Sequence, residues 1–338
     1  MKHIKNTLYV LTQGSYLALQ NETIAVMVGG QEKVRIPAQT LEAIYCFANV
    51  NVSTPLIAFC GQHGIALAFF SEYGKFYGRI YGPTQGNILL RQRQYAAMGD
   101  PMQRTRLAKN ILLGKLSASK GVLMRMSREH KESRQQIAHA AETIAAIALQ
   151  LQEGQSVDSM RGLEGAAAAA YFSVFPLAIQ NEAMQFSGRN RRPPEDPVNA
   201  LLSFLYTLLK NDVQSALEGV GLDPAAGFLH SLRPGRPALA LDLMEELRAP
   251  LCDRLAIALI NRGQITEKSY EQLNAPVFLN EKGRKTVLTA WQNRKAETIR
   301  HPFLDEMIPI GLIPHVQAQL LTRTLRGELD EYPPFHWR

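Results

Sequence analysis

Acidic and imidazole side chains in three separate segments of the sequence could together bind a metal ion. They are Glu164, His230, and the pair Asp242 and Glu245, which stand three residues apart. Two carboxylates and an imidazole, with a further carboxylate nearby, suit Mn²⁺ or Mg²⁺ better than Zn²⁺ or copper. Such an ion neutralises the charge of a phosphodiester, polarises phosphorus and activates water or a 3′-hydroxyl. The residue types therefore support a hypothesis of phosphodiester chemistry.

Each of these residues also has an ordinary structural explanation. The dipole near a helix N-terminus favours a glutamate such as Glu164, and an isolated histidine such as His230 is commonly a surface or capping residue. Asp242 and Glu245 could form a solvated acidic helix face, to which Glu246, about 100° further round the helix, is expected to belong. Spacing alone leaves both interpretations open.

Helix and turn signals surround the candidate ligands. Five alanines, Ala166–Ala170, follow Glu164 and favour helix, which places Glu164 and Tyr171 on one helix face. Turns rich in glycine and proline flank His230, and such a loop end is a common place for a ligand.

The pattern of apolar residues divides the chain into two parts. Short β-rich runs predict a small N-terminal domain over residues 1–81, and the Gly- and Pro-rich residues 82–86 predict a linker. Apolar residues at helical spacing then predict an α-helical domain over 87–329, followed by an irregular tail, 330–338. The expected fold class is α+β multidomain, with a β-rich domain before a larger all-α catalytic domain.

Within the N-terminal domain, the turn residues between short runs predict consecutive antiparallel hairpins. The expected exceptions are a short helix over Ala38–Phe47 and a buried strand over Pro55–Cys60. The expected hairpin strands are Thr7–Thr12, Ser15–Leu19, Thr23–Val28 and Lys33–Ile36.

The charge of the chain is concentrated in one stretch. The net charge is +7, and residues 86–136 hold 11 Lys and Arg against three acids, which gives +8. A basic surface of this kind can hold a row of phosphates, or it can be a solvated helix face. Apolar content of 46% and charged content of 20% are ordinary for a folded globular protein.

The remaining composition narrows the class of protein. The three cysteines, Cys46, Cys60 and Cys252, are odd in number and form no C-x-x-C motif, so neither a disulfide framework nor a cysteine zinc site is expected. No apolar run approaches the ~20 residues of a membrane span, and the N-terminus lacks the pattern of a signal peptide. A cytoplasmic location without membrane association is expected.

At the candidate ligands, the sequence resembles the catalytic integrase subunit of the CRISPR adaptation machinery, the CRISPR-associated DNA endonuclease that inserts new spacers. The segment from Gly64 to Arg79 is also similar to that family, so the resemblance covers nearly the whole chain. The matching runs, in order, are Gly162-x-Glu164-Gly-Ala-Ala, Arg191-Arg192-Pro-Pro-x-Asp196-Pro-Val-Asn199, Gly221-Leu-Asp-Pro-x-x-Gly227-Phe-Leu-His230, Pro234-Gly-Arg-Pro and Leu241-Asp-Leu-Met-Glu-Glu.

The resemblance implies an architecture, a ligand set and partners. It implies an N-terminal β-sandwich, a helical catalytic domain, and a homodimer formed through the β domains. Two dimers are expected to flank a small non-catalytic subunit of the adaptation machinery, giving a heterohexamer. The family's metal ligands correspond to Glu164, His230 and Glu245, with Asp242 as a supporting acid or alternative ligand. Mn²⁺ or Mg²⁺ is the implied cofactor.

The resemblance implies that the reaction is a transesterification of DNA and that the protein serves antiviral defence. A protospacer 3′-hydroxyl attacks a phosphodiester of the CRISPR repeat, and the reverse reaction resolves branched DNA. Arg191, Arg192 and Arg248 are candidates for phosphate contact, because arginine matches phosphate geometry. Asn199 is either a group that binds DNA or a ligand, or a helix N-cap. A solvated basic loop is expected at Lys282, Arg284 and Lys285.

Three competing functions are weighed against this one. A metal-dependent nuclease that only hydrolyses DNA or RNA could use the same ligands, and strand joining with a free 3′-hydroxyl distinguishes the two. A DNA-binding scaffold with vestigial acids would bind DNA without metal. A small-molecule phosphoesterase fits the metal but leaves the basic stretch unexplained.

Overall fold

The computed structural model describes residues 6–47, 49–74, 76–80, 88–151, 155–184, 186–190, 193–272 and 275–337. These residues fall into two compact units. One contains the described residues up to position 80 together with Leu279–Ala296, and the other contains the rest. No helix in the described ranges has both the length and the apolar character needed to cross a membrane.

Two four-stranded sheets form the N-terminal unit. Neighbouring strands in one sheet are β1 (Asn6–Val10), β5 (Leu41–Phe47), β7 (Ala66–Phe70) and β8 (Phe76–Ile80). In the other they are β4 (Gln31–Pro37), β3 (Thr23–Val28), β2 (Ser15–Gln20) and β6 (Val50–Val52).

Strand pairing agrees only in part with the expected hairpins. β2 and β3, and β3 and β4, pair antiparallel, as the turn signals predict. The expected hairpin from the first strand to the second is wrong, because β1 pairs in parallel with β5, and β5 in parallel with β7. Parallel neighbours require crossover connections, which local turn signals cannot reveal.

Both sheets contribute to one hydrophobic core. Leu17 and Ile24 from one sheet and Ile44 and Leu67 from the other are fully buried, as is Leu56 of the helix α1, Thr54–His63. The finer description of this unit as a β-sandwich stays a prediction.

Two elements of this unit differ from their predicted type. Residues 41–47 form the strand β5, where a helix was expected, because a short apolar run does not distinguish a buried helix from a buried strand. The strand predicted over Pro55–Cys60 is instead part of α1. The Ser53 hydroxyl accepts a hydrogen bond from the backbone N–H of Leu56, and Pro55 lies in the first turn, both of which are helix-start signals.

The second unit is mostly helical, as predicted. A small antiparallel pair, β9 (Thr298–Arg300) with β10 (Met307–Pro309), also lies in it, so the expectation of an all-α domain is too strict. Its helices are α2 (Ile88–Gly99), α3 (Pro101–Glu129), α4 (Arg134–Leu149), α5 (Val157–Val174), α6 (Pro197–Gly219), α7 (Ala238–Leu247), α8 (Arg254–Asn261) and α10 (Ile313–Leu325).

The helix α9, Glu281–Ala296, packs with the N-terminal unit although it lies late in the chain. Lys295 Nζ contacts Glu42 Oε1 at 3.1 Å, and Gln292 Nε2 donates to the Tyr9 hydroxyl at 3.2 Å. The domain limits drawn from sequence stay a prediction, and residues 81–87 lie outside the described part.

Candidate active site

The acidic residues of α7 are buried, which contradicts a solvated acidic face. Side-chain burial is nearly complete for Asp242, Glu245 and Glu246, at 0%, 3% and 1% exposure. Each carboxylate therefore needs partners inside the protein, because an unpaired buried charge is strongly unfavourable. The three residues find different partners.

Asp242 anchors the loop that carries His230. Its Oδ2 accepts the backbone N–H groups of Phe228 at 2.6 Å and Leu229 at 3.0 Å, and its Oδ1 accepts that of His230 at 2.8 Å. The same Oδ1 lies 2.7 Å from His230 Nδ1. A carboxylate can only accept hydrogen bonds, so Nδ1 is the ring nitrogen that carries the proton, and in the neutral imidazole Nε2 offers the lone pair. Asp242 thus supports His230 and prepares Nε2 as a ligand.

Two arginines fix the same loop from its carbonyl side. Arg104 of α3 donates through Nε to the Phe228 carbonyl at 3.1 Å, and Arg161 of α5 donates through Nε to the Leu229 carbonyl at 2.8 Å. The backbone N–H and the carbonyl of Phe228 and of Leu229 are therefore all hydrogen-bonded, which limits the positions that the adjoining His230 can take.

Lys115 of α3 joins the two remaining candidate ligands. Its ammonium contacts Glu164 of α5 through Oε1, and it lies 2.9 Å from Glu245 Oε2. His230 Nε2 is 3.8 Å from Glu245 Oε1. The structure therefore brings Glu164, His230 and Glu245 together, although they come from three separate segments.

Arg248 completes the surroundings of Glu245. Its guanidinium bonds Glu245 Oε1 at 2.6 Å and stacks 4.3 Å above the centre of the Tyr206 ring. The Tyr206 hydroxyl donates to Asp253 Oδ1 at 2.5 Å, and the Tyr171 hydroxyl donates to Asp253 Oδ2 at 3.0 Å. Arg248, predicted to contact DNA, is thus first of all a partner of a candidate ligand.

A π-helix over Arg248–Asp253 connects α7 to α8. Its first residue, Arg248, and its last, Asp253, are both hydrogen-bonded in this network. π-Helical turns are rare in proteins, and those that occur are often found at functional sites. Burial raises the pKa of Asp253 to about 6, although the hydrogen bond from Tyr206 and the charge of Arg248 lower it. Burial also tends to raise the pKa of Glu245, but Arg248, Lys115 and His230 together hold it well below its usual value.

Glu246 holds the C-terminal segment against α7, and the expectation that it is solvent-exposed is wrong. It accepts hydrogen bonds from the hydroxyl of Tyr332, the backbone N–H of Phe335 and the side chain of Gln317, the last at 3.3 Å. Burial raises the pKa of Glu246 to about 7 despite these three donors. Gly114 of α3 makes room here, since a Cβ on it would lie 3.2 Å from the Glu246 Cβ.

Asn199 is neither the N-cap of α6 nor an exposed group. Asp196 is the N-cap, and its Oδ1 accepts the Asn199 backbone N–H at 2.8 Å. The Asn199 amide donates to the Gly188 carbonyl at 2.8 Å and accepts a hydrogen bond from Arg189. Its fully buried side chain therefore fixes the segment before α6.

The other predicted contacts have mixed outcomes. Arg191 and Arg192 lie outside the described residues. The basic loop expected at Lys282, Arg284 and Lys285 is wrong, because all three belong to α9, and Arg284 is buried and donates to the Leu279 carbonyl at 2.6 Å.

The carboxylates and imidazole of the site could hold a cation, but they are not arranged as a formed metal site. Within the described ranges, no group of three or more His, Cys, Asp or Glu side chains is placed to hold a metal ion. Glu245 is buried, and the partner of its Oε2 is the Lys115 ammonium, 2.9 Å away. The side chain of Glu164 is 27% exposed and that of His230 20%, so both reach solvent, whereas Glu245 does not.

Comparison with known proteins identifies relatives along the entire chain. Residues 8–293 match the family described as CRISPR associated protein Cas1. A relative from Chlorobaculum tepidum, named CRISPR-associated endonuclease Cas1 1, is 46% identical over 343 residues, and the alignment covers 100% of both chains. One from Rhodospirillum rubrum, CRISPR-associated endonuclease Cas1 2, is 45% identical over 353 residues, again with 100% of both covered.

Solved structures share the fold at lower identity. A Cas1 protein from Thermotoga maritima has a TM-score of 0.83 at 23% identity, covering 96% of this chain and 97% of that one. A casposase bound to an integration product has a TM-score of 0.85 at 21% identity, covering 99% and 95%. Because the family match spans most of the chain and both sequence relatives align over their full length, the chain belongs to the Cas1 family of CRISPR-associated proteins.

Proposed function

We propose that this protein is a divalent-metal-dependent DNA endonuclease and integrase that inserts protospacer DNA into a CRISPR array. The observation that supports it most directly is that the Lys115 ammonium joins Glu164 to Glu245, while His230 Nε2 lies 3.8 Å from the other oxygen of Glu245. The relatives from Chlorobaculum tepidum and Rhodospirillum rubrum are called endonucleases, which agrees with phosphodiester chemistry.

The donor set fits Mn²⁺ or Mg²⁺. A positive group already lies between the carboxylates of Glu164 and Glu245, in the manner expected of a bound cation. Oxygen ligands with one imidazole suit these ions, and the partner of Glu245 Oε2 that a metal would displace is the ammonium of Lys115. When bound, the ion would stabilise the negative charge that develops on the phosphorus oxygens.

The protein's own residues would supply position and charge. Asp242 orients His230, and Arg248 offers a guanidinium beside Glu245 for the scissile phosphate. The reacting 3′-hydroxyl forms a new bond to phosphorus while the bond to the departing 3′-oxygen of the repeat breaks, and the proton passes to that oxygen through solvent. One ester replaces another, so the reaction can run backwards on branched DNA.

The proposed partners follow from the same family membership. They are protospacer, repeat and branched DNA, a second copy of this chain as a homodimer, and the small non-catalytic adaptation subunit in a heterohexamer. A chain of a Cas6-RT-Cas1–Cas2 complex shares the fold, with a TM-score of 0.83 at 23% identity. The cytoplasm is the proposed location.

A labelled branched DNA tests the reaction. Wild type, His230→Ala and the control His63→Ala, an exposed histidine of the N-terminal unit, are incubated with Mn²⁺, Mg²⁺ or chelator. We expect metal-dependent rejoining by wild type and His63→Ala, and none by His230→Ala. Cleavage without rejoining would favour the alternative, a nuclease that only hydrolyses DNA or RNA. Equal activity of all three proteins would exclude the site.

A further inference from the structure

Lys115 occupies the position between the two carboxylates where a cation would bind. Its side chain is 12% exposed, and its ion pairs within the described residues are with Glu164 and Glu245. Neither the family motifs nor the charge pattern singled it out, since it is one of 11 basic residues in a long stretch.

The contacts of Lys115 differ from those of Arg248, the other cation at Glu245. Arg248 is fixed by the ring of Tyr206, 4.3 Å away, as well as by its bond to Glu245. Lys115 has a flexible four-carbon stem that carries a compact charge. It can therefore leave the carboxylates without disturbing any aromatic contact, whereas Arg248 cannot.

Two carboxylates from different helices repel each other unless a cation lies between them. Glu164 on α5 and Glu245 on α7 would therefore separate in a metal-free protein that lacked Lys115. We propose that Lys115 is a positioning residue that serves as a resident cation: it holds Glu164 and Glu245 together until a divalent metal ion displaces its ammonium. This inference rests on the proposed metal-dependent function.

The exchange also changes the charge of the site. With the three carboxylates of Glu164, Asp242 and Glu245 counted as −3 and Lys115 and Arg248 as +2, the formal charge is −1; exchange of the ammonium for a divalent ion makes it 0, or +1 when the released ammonium stays beside the site. A site of net positive charge attracts a phosphodiester, whereas a negative one repels it. Metal binding would thus precede productive contact with DNA, and the released ammonium adds a second phosphate-binding group.

The test measures Mn²⁺ binding without DNA by electron paramagnetic resonance of the free ion. Wild type is compared with Lys115→Met, with His230→Ala, and with Lys120→Met, an exposed lysine on the same helix. Because the variant lacks the competing charge, we expect Lys115→Met to bind Mn²⁺ about tenfold more tightly than wild type. Lys120→Met should bind as wild type does.

Thermal unfolding provides a second readout. Without metal, Lys115→Met should unfold at a lower temperature than wild type, and saturating Mn²⁺ should raise its Tm by more than it raises that of wild type. If Lys115→Met does not yield folded protein, Lys115→Gln carries the same expectations, since its amide can still donate to one carboxylate.

The outcomes separate the inference from the function on which it rests. Unchanged or weaker Mn²⁺ binding by the Lys115 variant, with binding lost in His230→Ala, would overturn the role of Lys115 and leave the metal site intact. Equal Mn²⁺ binding by wild type and His230→Ala would instead reject the metal site itself.

Discussion

One carboxylate oxygen of Asp242 contacts His230 twice, through the backbone N–H at 2.8 Å and through the ring Nδ1 at 2.7 Å. The residue thereby sets both where the loop lies and how the imidazole is oriented. Asp242 itself is fully buried, so no water can replace either bond.

Asp242→Asn should weaken both metal binding and stability. Both oxygens of Asp242 accept N–H groups of the loop that carries His230. In asparagine an NH₂ group replaces one of these oxygens, so it would face N–H donors and could not accept from them. We expect Mn²⁺ affinity to fall about 10- to 100-fold and the free energy of unfolding to fall by roughly 2 kcal/mol. Titration of Mn²⁺ and urea denaturation measure the two effects. Asp305→Asn, at an exposed ion pair, is the control and should change neither.

Gly227→Ala should be damaging because the added Cβ has no room. It would lie 2.7 Å from the backbone carbonyl carbon of Ala238 and 2.8 Å from Asp242 Oδ2. Displacing the backbone or Asp242 should cost about 1–3 kcal/mol of stability, and DNA rejoining should be lost with it. Gly121→Ala on α3, where a Cβ meets nothing within 4 Å, should instead be neutral or stabilising. Similar unfolding midpoints for the two variants would contradict this account.

Tyr332→Phe should loosen the C-terminal segment from α7. The change removes one of three donors to the buried carboxylate of Glu246, which should lower the free energy of unfolding by about 1–3 kcal/mol. Chemical denaturation checks this, with Tyr77→Phe as the control because Tyr77 is 67% exposed. A loss of the same size in the control would show that the hydrogen bond is unimportant.

Asp253 should make stability depend on pH. Its pKa is raised from 3.8 to about 6 in the folded protein, so the folded state retains its proton more strongly than the unfolded chain. Its contribution is therefore complete below pH ~4 and is lost as the pH rises to about 6. Relative to Asp253→Asn, wild type should lose roughly 2 kcal/mol of unfolding free energy between pH 4 and pH 7. Denaturation curves at several pH values measure this, and a constant difference between the proteins would refute it.

The sequence predicts the helical part of the fold well, and the N-terminal part less well. Long helices such as α3 and α6 have their own N-cap residues, Asp100 and Asp196, so residues close together in the sequence determine where they form. The parallel pairing of β1 with β5 depends on residues far apart in the chain, which no local pattern contains.

The candidate ligands could be proposed from sequence, but their neighbours could not. Glu164, His230 and Glu245 stand in recognisable runs of sequence. Lys115 lies on a helix about 50 residues before Glu164, and across such a distance the sequence does not show that the two side chains meet. Helix geometry turns Glu246 away from Glu245, and from sequence this predicts that Glu246 faces solvent. It does turn away, but towards the C-terminal segment, whose position only the fold determines.

The wide helical turn over Arg248–Asp253 affects how the gene can change in length. Deleting one codon there would close the turn to an ordinary α-helical one and leave α8 in nearly the same orientation, whereas deleting one inside α7 before Glu245 would rotate everything after it by about 100°. Such a deletion in α7 would turn Glu245 away from Lys115. Single-residue deletions should therefore be excluded from α7 but accepted within the wide turn and in the exposed loop of residues 232–235.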